Sequence, residues 1–256
     1  MKKSYELEFS KDGYRKLLNQ IKEKNYIFKK MHEFHILSDK QIILRHDVDF
    51  CVDYALEMAE VEYQNCIIAN YFFMLTSDFY NIFSPSNRKK LKEIRKMGHQ
   101  IGLHWDSKFI PVDKNKYEDF FKSQLTLLSE AAEDNVRSAS QHIPTDSKNI
   151  DFEKYIDVEA YSKKINSFYY YVSDSSMTWR KFTPLDCINQ GKSFQFLAHP
   201  IWWIAPGKTQ DEKINSLIST ISNEDKNIAR SYLKYMRRIL QTREAYDNKF
   251  KSRIKN

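Results

Sequence analysis

Asp47 and Asp49 stand two residues apart in the segment RHDVDF, residues 45–50. In an extended strand, residues two apart point to the same side. Two carboxylates so placed repel unless a cation or a shared proton lies between them. A metal held by one would relieve the repulsion and leave the other as a base. A structural role competes with this: one carboxylate caps the next helix and the other pairs with Arg45. The second segment is GHQIGLHWD, residues 98–106. Its histidines, His99 and His104, are five apart and so face opposite sides of a strand. His104 ends the strand and is the better candidate ligand. His199 opens HPIWW, residues 199–203. Its unperturbed pKa near working pH suits a general acid. Trp202 beside it offers an aromatic plane on which a sugar ring could stack, and could equally fill a core. In DSSMTWR, residues 174–180, the chain places Asp174, Trp179 and Arg180 where they could bind a sugar and an anionic group. Asp174 could instead cap a turn and Trp179 pack inward. His32 and His35 precede the first foreseen strand and read as lying at the bottom or outside.

These residues need elements to bring them together. Short apolar runs alternate with longer amphipathic stretches, the pattern of βαβ units. Strands are expected at 41–45, 69–75, 99–104, 136–141, 158–161, 168–172 and 194–198. Helices are expected at 14–24, at 53–62 with Asp53 as N-cap, at 86–97 between Ser86 and the stop residue Gly98, and at 117–132. A charged, helical tail runs from about 211 to 253. In parallel α/β folds, ligands bind beyond the carboxyl ends of the strands. Asp47, Asp49, His104, His142 and His199 all sit at such ends, which suits metal-assisted hydrolysis at a barrel mouth.

RHDVD and GHQIGLH, with YFFMLTSDFYN between them, resemble the NodB-type polysaccharide deacetylases (carbohydrate esterase family four). SQHIP at 140–144 and FLAHP at 196–200 resemble that family's later motifs, in family order. The resemblance implies a distorted (β/α) barrel of about seven strands with a C-terminal helical extension. It also implies a base at Asp47, metal ligands at Asp49 and His104, and a catalytic His199. The family's second ligating His falls four residues after the first; here that residue is Lys108. We infer that His142 supplies the third ligand, with Asp106 as the alternative. Ile143 stands where the family has an Arg that orients the base. The implied reaction is removal of an acyl group, N-acetyl above all, from a sugar. Zinc is the first expected metal, and iron, cobalt or nickel also suit His/carboxylate ligation. A catalytically degenerate domain binding carbohydrate or protein is the alternative.

The 256 residues read as one domain: a lead-in at 1–40, a barrel at 41–205 and the tail at 206–256. Five glycines leave no GxGxxG or phosphate loop. A net charge of +7 is spread among acids and implies a solvated surface rather than a nucleic-acid site. It would also suit an anionic or nucleotide-linked sugar. Three unpatterned cysteines, no secretory signal and no transmembrane run imply a cytoplasmic protein acting on a nucleotide- or lipid-linked sugar precursor. An apolar stripe through Leu217, Ile218, Ile221, Tyr232, Leu233, Met236, Ile239 and Leu240 is expected to cover the core, with a homodimer contact as the minor option.

Overall fold

A computed structural model describes residues 7–33, 40–144, 154–179 and 181–220. The elements run α1 (Lys11–Glu23), β1 (Ile27–Phe28), β2 (Gln41–Val48), α2 (Val52–Gln64), β3 (Asn70–Phe73) and α3 (Pro85–Lys96). There follow β4 (Gln100–Asp106), α4 (Tyr117–Ala132), β5 (Ser138–His142), β6 (Val158–Glu159), α5 (Lys163–Asn166) and β7 (Tyr170–Ser173). The last are α6 (Pro184–Asn189), β8 (Phe194–Leu197), α7 (Pro200–Ile204) and α8 (Gln210–Thr220).

The described strands form one parallel sheet, seven of them in the order β6-β5-β4-β3-β2-β8-β7, with β1 paired to the start of β2. The sheet curls into the distorted (β/α) barrel expected. Side chains bridge its two ends: Gln195 Nε2 of β8 donates to Ala160 O at 3.0 Å, and the Tyr161 and Tyr171 hydroxyls meet at 3.3 Å. The period of two along β2 sorts its residues. Ile42, Leu44 and Val48 join the large core beneath the helices, while Ile43 joins Met31, Phe72, Val158 and Tyr169 inside the barrel. Gly102 faces Phe72 across the β3–β4 ladder, and a Cβ there would come within 2.4 Å of the Phe72 ring.

Several boundaries differ from the sequence reading. β2 continues past Arg45 through Val48, because residues 45–48 gain ladder partners in β3. Asp47 is therefore inside the strand, not beyond it. α1 starts at Lys11, where Ser10 Oγ accepts from Gly13 N at 3.0 Å. The N-cap of α2 is Cys51 rather than Asp53; Asp53 lies in the first turn, 2.7 Å from Lys90 Nζ. α3 is capped by Ser84, with Pro85 at its first turn, rather than by Ser86. Gly98 does follow that helix, at φ +92°. β1 is only two residues long, too short to show a period, and α6 and α7 are short helices in stretches where the sequence reading placed no element. Leu217 and Ile218 of the tail stripe are buried in the core on α8. Ile221, Tyr232, Leu233, Met236, Ile239 and Leu240 lie outside the described residues, as do His35 and Arg180. Among the described residues no helix is long and apolar enough to cross a membrane.

A second polar cluster sits on the outer face of β2. Glu62 of α2, fully buried, lies 2.6 Å from His46 Nε2 and accepts from the hydroxyls of Tyr14 and Tyr71. His46 Nδ1 donates to Ala198 O at 2.8 Å, tying β2 to the residue before His199. His99 is held nearby: its Nδ1 accepts from Ala69 N at 3.1 Å and its Nε2 donates to Ala59 O.

Candidate metal and catalytic site

Asp47 points into the barrel, two residues after Arg45 on the same face. Arg45 is fully buried and grips it with two bonds, Nε to Oδ1 at 2.9 Å and an Nη2 bond to Oδ2 at 2.6 Å. The same Nη2 donates to Ser140 Oγ of β5 and, at 3.0 Å, to the Tyr161 hydroxyl. The guanidinium also lies 4.5 Å from the centre of the Tyr161 ring, a cation–π contact. Burial alone would raise the Asp47 pKa, but the charges and hydrogen bonds of Arg45, with His104, drive it far below the usual carboxylate range. Asp47 is ionised at any working pH and is an intrinsically weak base.

Asp49 emerges at the mouth, facing His104. The His104 ring donates Nδ1–H to Ser140 O at 2.9 Å. A neutral ring therefore turns the Nε2 lone pair toward Asp49 Oδ1, 3.1 Å away. That Oδ1 is buried without a hydrogen bond. Two lone pairs at this distance need a positive charge between them. Without a cation the ring itself supplies a proton: burial opposes its charge, but Asp47 and Asp49 outweigh burial and raise its pKa. Burial would likewise raise the Asp49 pKa, yet His104, His142 and His199 together lower it.

β5 pairs with β4 so that His142 stands opposite Asp106. One donor atom each from Asp49, His104 and His142 lies within 4.8 Å of the others. Two imidazole nitrogens and a carboxylate oxygen are a donor set for zinc and for iron, cobalt or nickel. Behind this trio, Asp106 Oδ2 lies 3.4 Å from His142 Nδ1, and its Oδ1 accepts from Lys108 N at 2.9 Å. Asp106 thus backs the His142 ring, as a carboxylate backs a metal-bound histidine. Ile143 follows with φ +50°, a left-handed conformation that a β-branched residue adopts only under strain.

His199 approaches from β8. Its Nδ1 lies 2.6 Å from Asp174 Oδ1, its Nε2 3.9 Å from Asp49 Oδ2. Asp174 also accepts from His199 N and from Trp203 Nε1, so three N–H groups fix it. Burial opposes charge on the His199 ring, but Asp174, then Asp49 and Asp47, push its pKa up to about 9.

Asp47, Asp49, His104, His142 and His199 are brought together; of the residues read as sugar-binding, Arg180 lies outside the described residues, and Asp174, Trp179 and Trp202 pack inward. Asp174 is fully buried behind His199 rather than open to a ligand. Trp202 is buried in the core on α7. Trp179 is packed between Phe9, stacked at 5.4 Å and 17°, and the rings of Phe196 and Trp203. An open cavity of about 190 Å³ lies instead beside Asp49, Asp106 and His142, walled by the loop after β3 and by Lys108 and Phe109. Ser77 Oγ donates to Asp49 O and the Tyr80 hydroxyl to Val48 O, binding that loop to the Asp47–Asp49 turn. The sequence reading offered Arg45 only as a structural partner of one carboxylate; it pairs with Asp47 inside the site itself. The same period of two that aligned the carboxylates also aligns Arg45 with them.

No family model and no curated protein matches the chain. Solved structures do. IcaB from Ammonifex degensii matches at 16% identity over 52% of this chain and 66% of its own, with a TM-score of 0.38. A CE4 family pseudoenzyme from Bacillus anthracis matches at 16% identity over 72% and 60%, TM-score 0.43. The Streptococcus pyogenes deacetylase PplD, solved with acetate, matches at 12% over 70% and 85%, TM-score 0.46. The likeness is one of fold. The chain spans 66% and 60% of the first two.

Proposed function

We propose that the chain is a metal-dependent hydrolase, a divergent NodB-type deacylase that cleaves an N-acyl group from a sugar or sugar precursor. The observation that carries this reading is the buried Asp49 Oδ1, which faces His104 Nε2 at 3.1 Å with His142 in reach. Asp49, His104 and His142 would hold the divalent ion, zinc first. Three protein ligands leave a position open. When bound, such an ion acidifies water and polarises the acyl carbonyl. Asp47, ionised and oriented by Arg45, accepts the proton of the attacking water. Its low basicity suits a water that is already acidic. His199, protonated near neutral pH and held by Asp174, delivers a proton to the leaving amine. The roles fall to groups whose surroundings drive their pKa values apart, as acid–base pairs require.

The three cysteines, Cys51, Cys66 and Cys187, are free thiols, which fits the cytoplasm and so a nucleotide- or lipid-linked substrate. Elemental analysis of the purified protein, with carboxylate release from N-acylated and O-acylated sugars, tests the reading. One equivalent of metal and turnover that Asp49→Asn abolishes are the expected result. A folded protein that neither retains added zinc nor turns over any substrate would make this a degenerate binding domain.

A further inference from the structure

The cavity beside the ligand trio has a volume and a wall that bear on the substrate. It measures about 190 Å³. Most of its lining residues are polar, Asp49, Asp106 and His142 among them, and Met74, Phe79 and Phe109 supply an apolar side. Neither Asp47 nor His199 lines it. Phe109, on a three-residue helical turn, is 53% exposed. An apolar cavity of roughly 150 Å³ already takes up benzene, a six-carbon body. The single methyl of an acetyl group would leave most of this one unfilled, and an uncovered apolar wall forfeits its dispersion contacts.

The position of the acid decides which half of the substrate enters. His199 protonates the leaving amine, so that amine and its sugar lie on the His199 side. The acyl chain would then run away from His199 toward the cavity, which Asp49 lines and His199 does not. We propose that this cavity is an acyl-chain pocket and that the group removed is longer than acetyl, with about four to six carbons. The assignment rests on the hydrolase reading above. The step is ordinary hydrolysis: the C–N bond breaks, the water oxygen joins the acyl carbon, and the products are a carboxylate and a protonated amine.

Two measurements test this. The first compares kcat/KM for glucosamine bearing acetyl, butanoyl, hexanoyl and decanoyl groups, using the zinc-loaded protein. Each buried methylene is worth roughly fourfold. The expected series therefore rises at least tenfold from acetyl to its maximum at butanoyl or hexanoyl, then falls at decanoyl. Phe109→Ala lowers the ratio of hexanoyl to acetyl turnover. A series that peaks at acetyl overturns the pocket while leaving the hydrolase intact. Turnover of none of them counts against the hydrolase instead. The second measurement then decides the pocket alone. In the metal-free protein, hexanoate is expected to shift the ¹³C-methyl signal of Met74 at concentrations where acetate does not, and Phe109→Ala weakens that response. Equal responses to the two acids overturn the proposal.

Discussion

Three imidazoles converge on Asp49, and each is turned by a different acceptor. His104 is held by a backbone carbonyl, His142 is backed by Asp106, and His199 is held by the buried Asp174. On the proposed reading the acceptors set the division of labour, so changing them should separate metal binding from proton delivery. Asp106→Asn is expected to weaken zinc binding roughly 10–100-fold, the usual cost of losing a group that supports a ligand. His142→Ala should weaken it further; competition against a chelating dye measures both. Undiminished affinity in the His142 variant would remove that residue from the ligand set. His199 responds to pH. Its pKa rises from 6.5 to about 9 in the folded, metal-free chain, so the folded state binds this proton more tightly than the unfolded one. The stabilisation is complete below about pH 6.5 and disappears as pH climbs through about 9. Asp174→Asn should flatten that part of the stability curve, as followed by urea denaturation at stepped pH. An unchanged slope contradicts the pairing.

At the scale of elements, Arg45 joins strands that are distant in sequence: β2 to Ser140 of β5 and to Tyr161 just after β6. Arg45→Met would leave the Asp47 carboxylate buried and uncompensated, at a cost of roughly 3–5 kcal/mol. Asp47→Asn in the same chain should restore a large part of it. A double variant no more stable than the single one would show that the arginine acts through packing alone. β2, β4 and β8 were legible in the sequence because each holds a short apolar run that leads to a polar residue, whereas β5 (SASQH) has only Ala139 to mark it. The two carboxylates and His104 were legible for the same reason. Trp179 and Trp202 misled because aromatic side chains look alike whether they line a pocket or fill a core. Only the packing on Phe9 and Trp203 decides. The pocket itself was invisible, since it is assembled from the loop after β3 and a short turn after β4. Neither has a period to read.

On the scale of the whole molecule, the putting together of β4, β5 and the Asp47–Asp49 turn at one mouth would couple the proposed metal binding to folding. An ion that binds only the folded chain adds about 2.7 kcal/mol at a free concentration of 100 times its Kd. For a chain of this size that raises Tm by roughly 5–10 °C. Differential scanning calorimetry with zinc and with a chelator reads the difference, and a Tm indifferent to both contradicts a metal at the site. The barrel strand β2 bears on how that assembly is reached. It carries Arg45 and Asp47 on one face and His46 on the other, each committed to its own buried partners. A misthreaded chain, shifted by one position against β3 and β8, would swap the two sets. It would press the guanidinium and carboxylate into the apolar layer under the helices, and turn the imidazole away from Glu62. Both faces would then penalise the same mistake. The polar residues of the candidate site and of its outer face thereby also proofread the alignment of the strand that bears them.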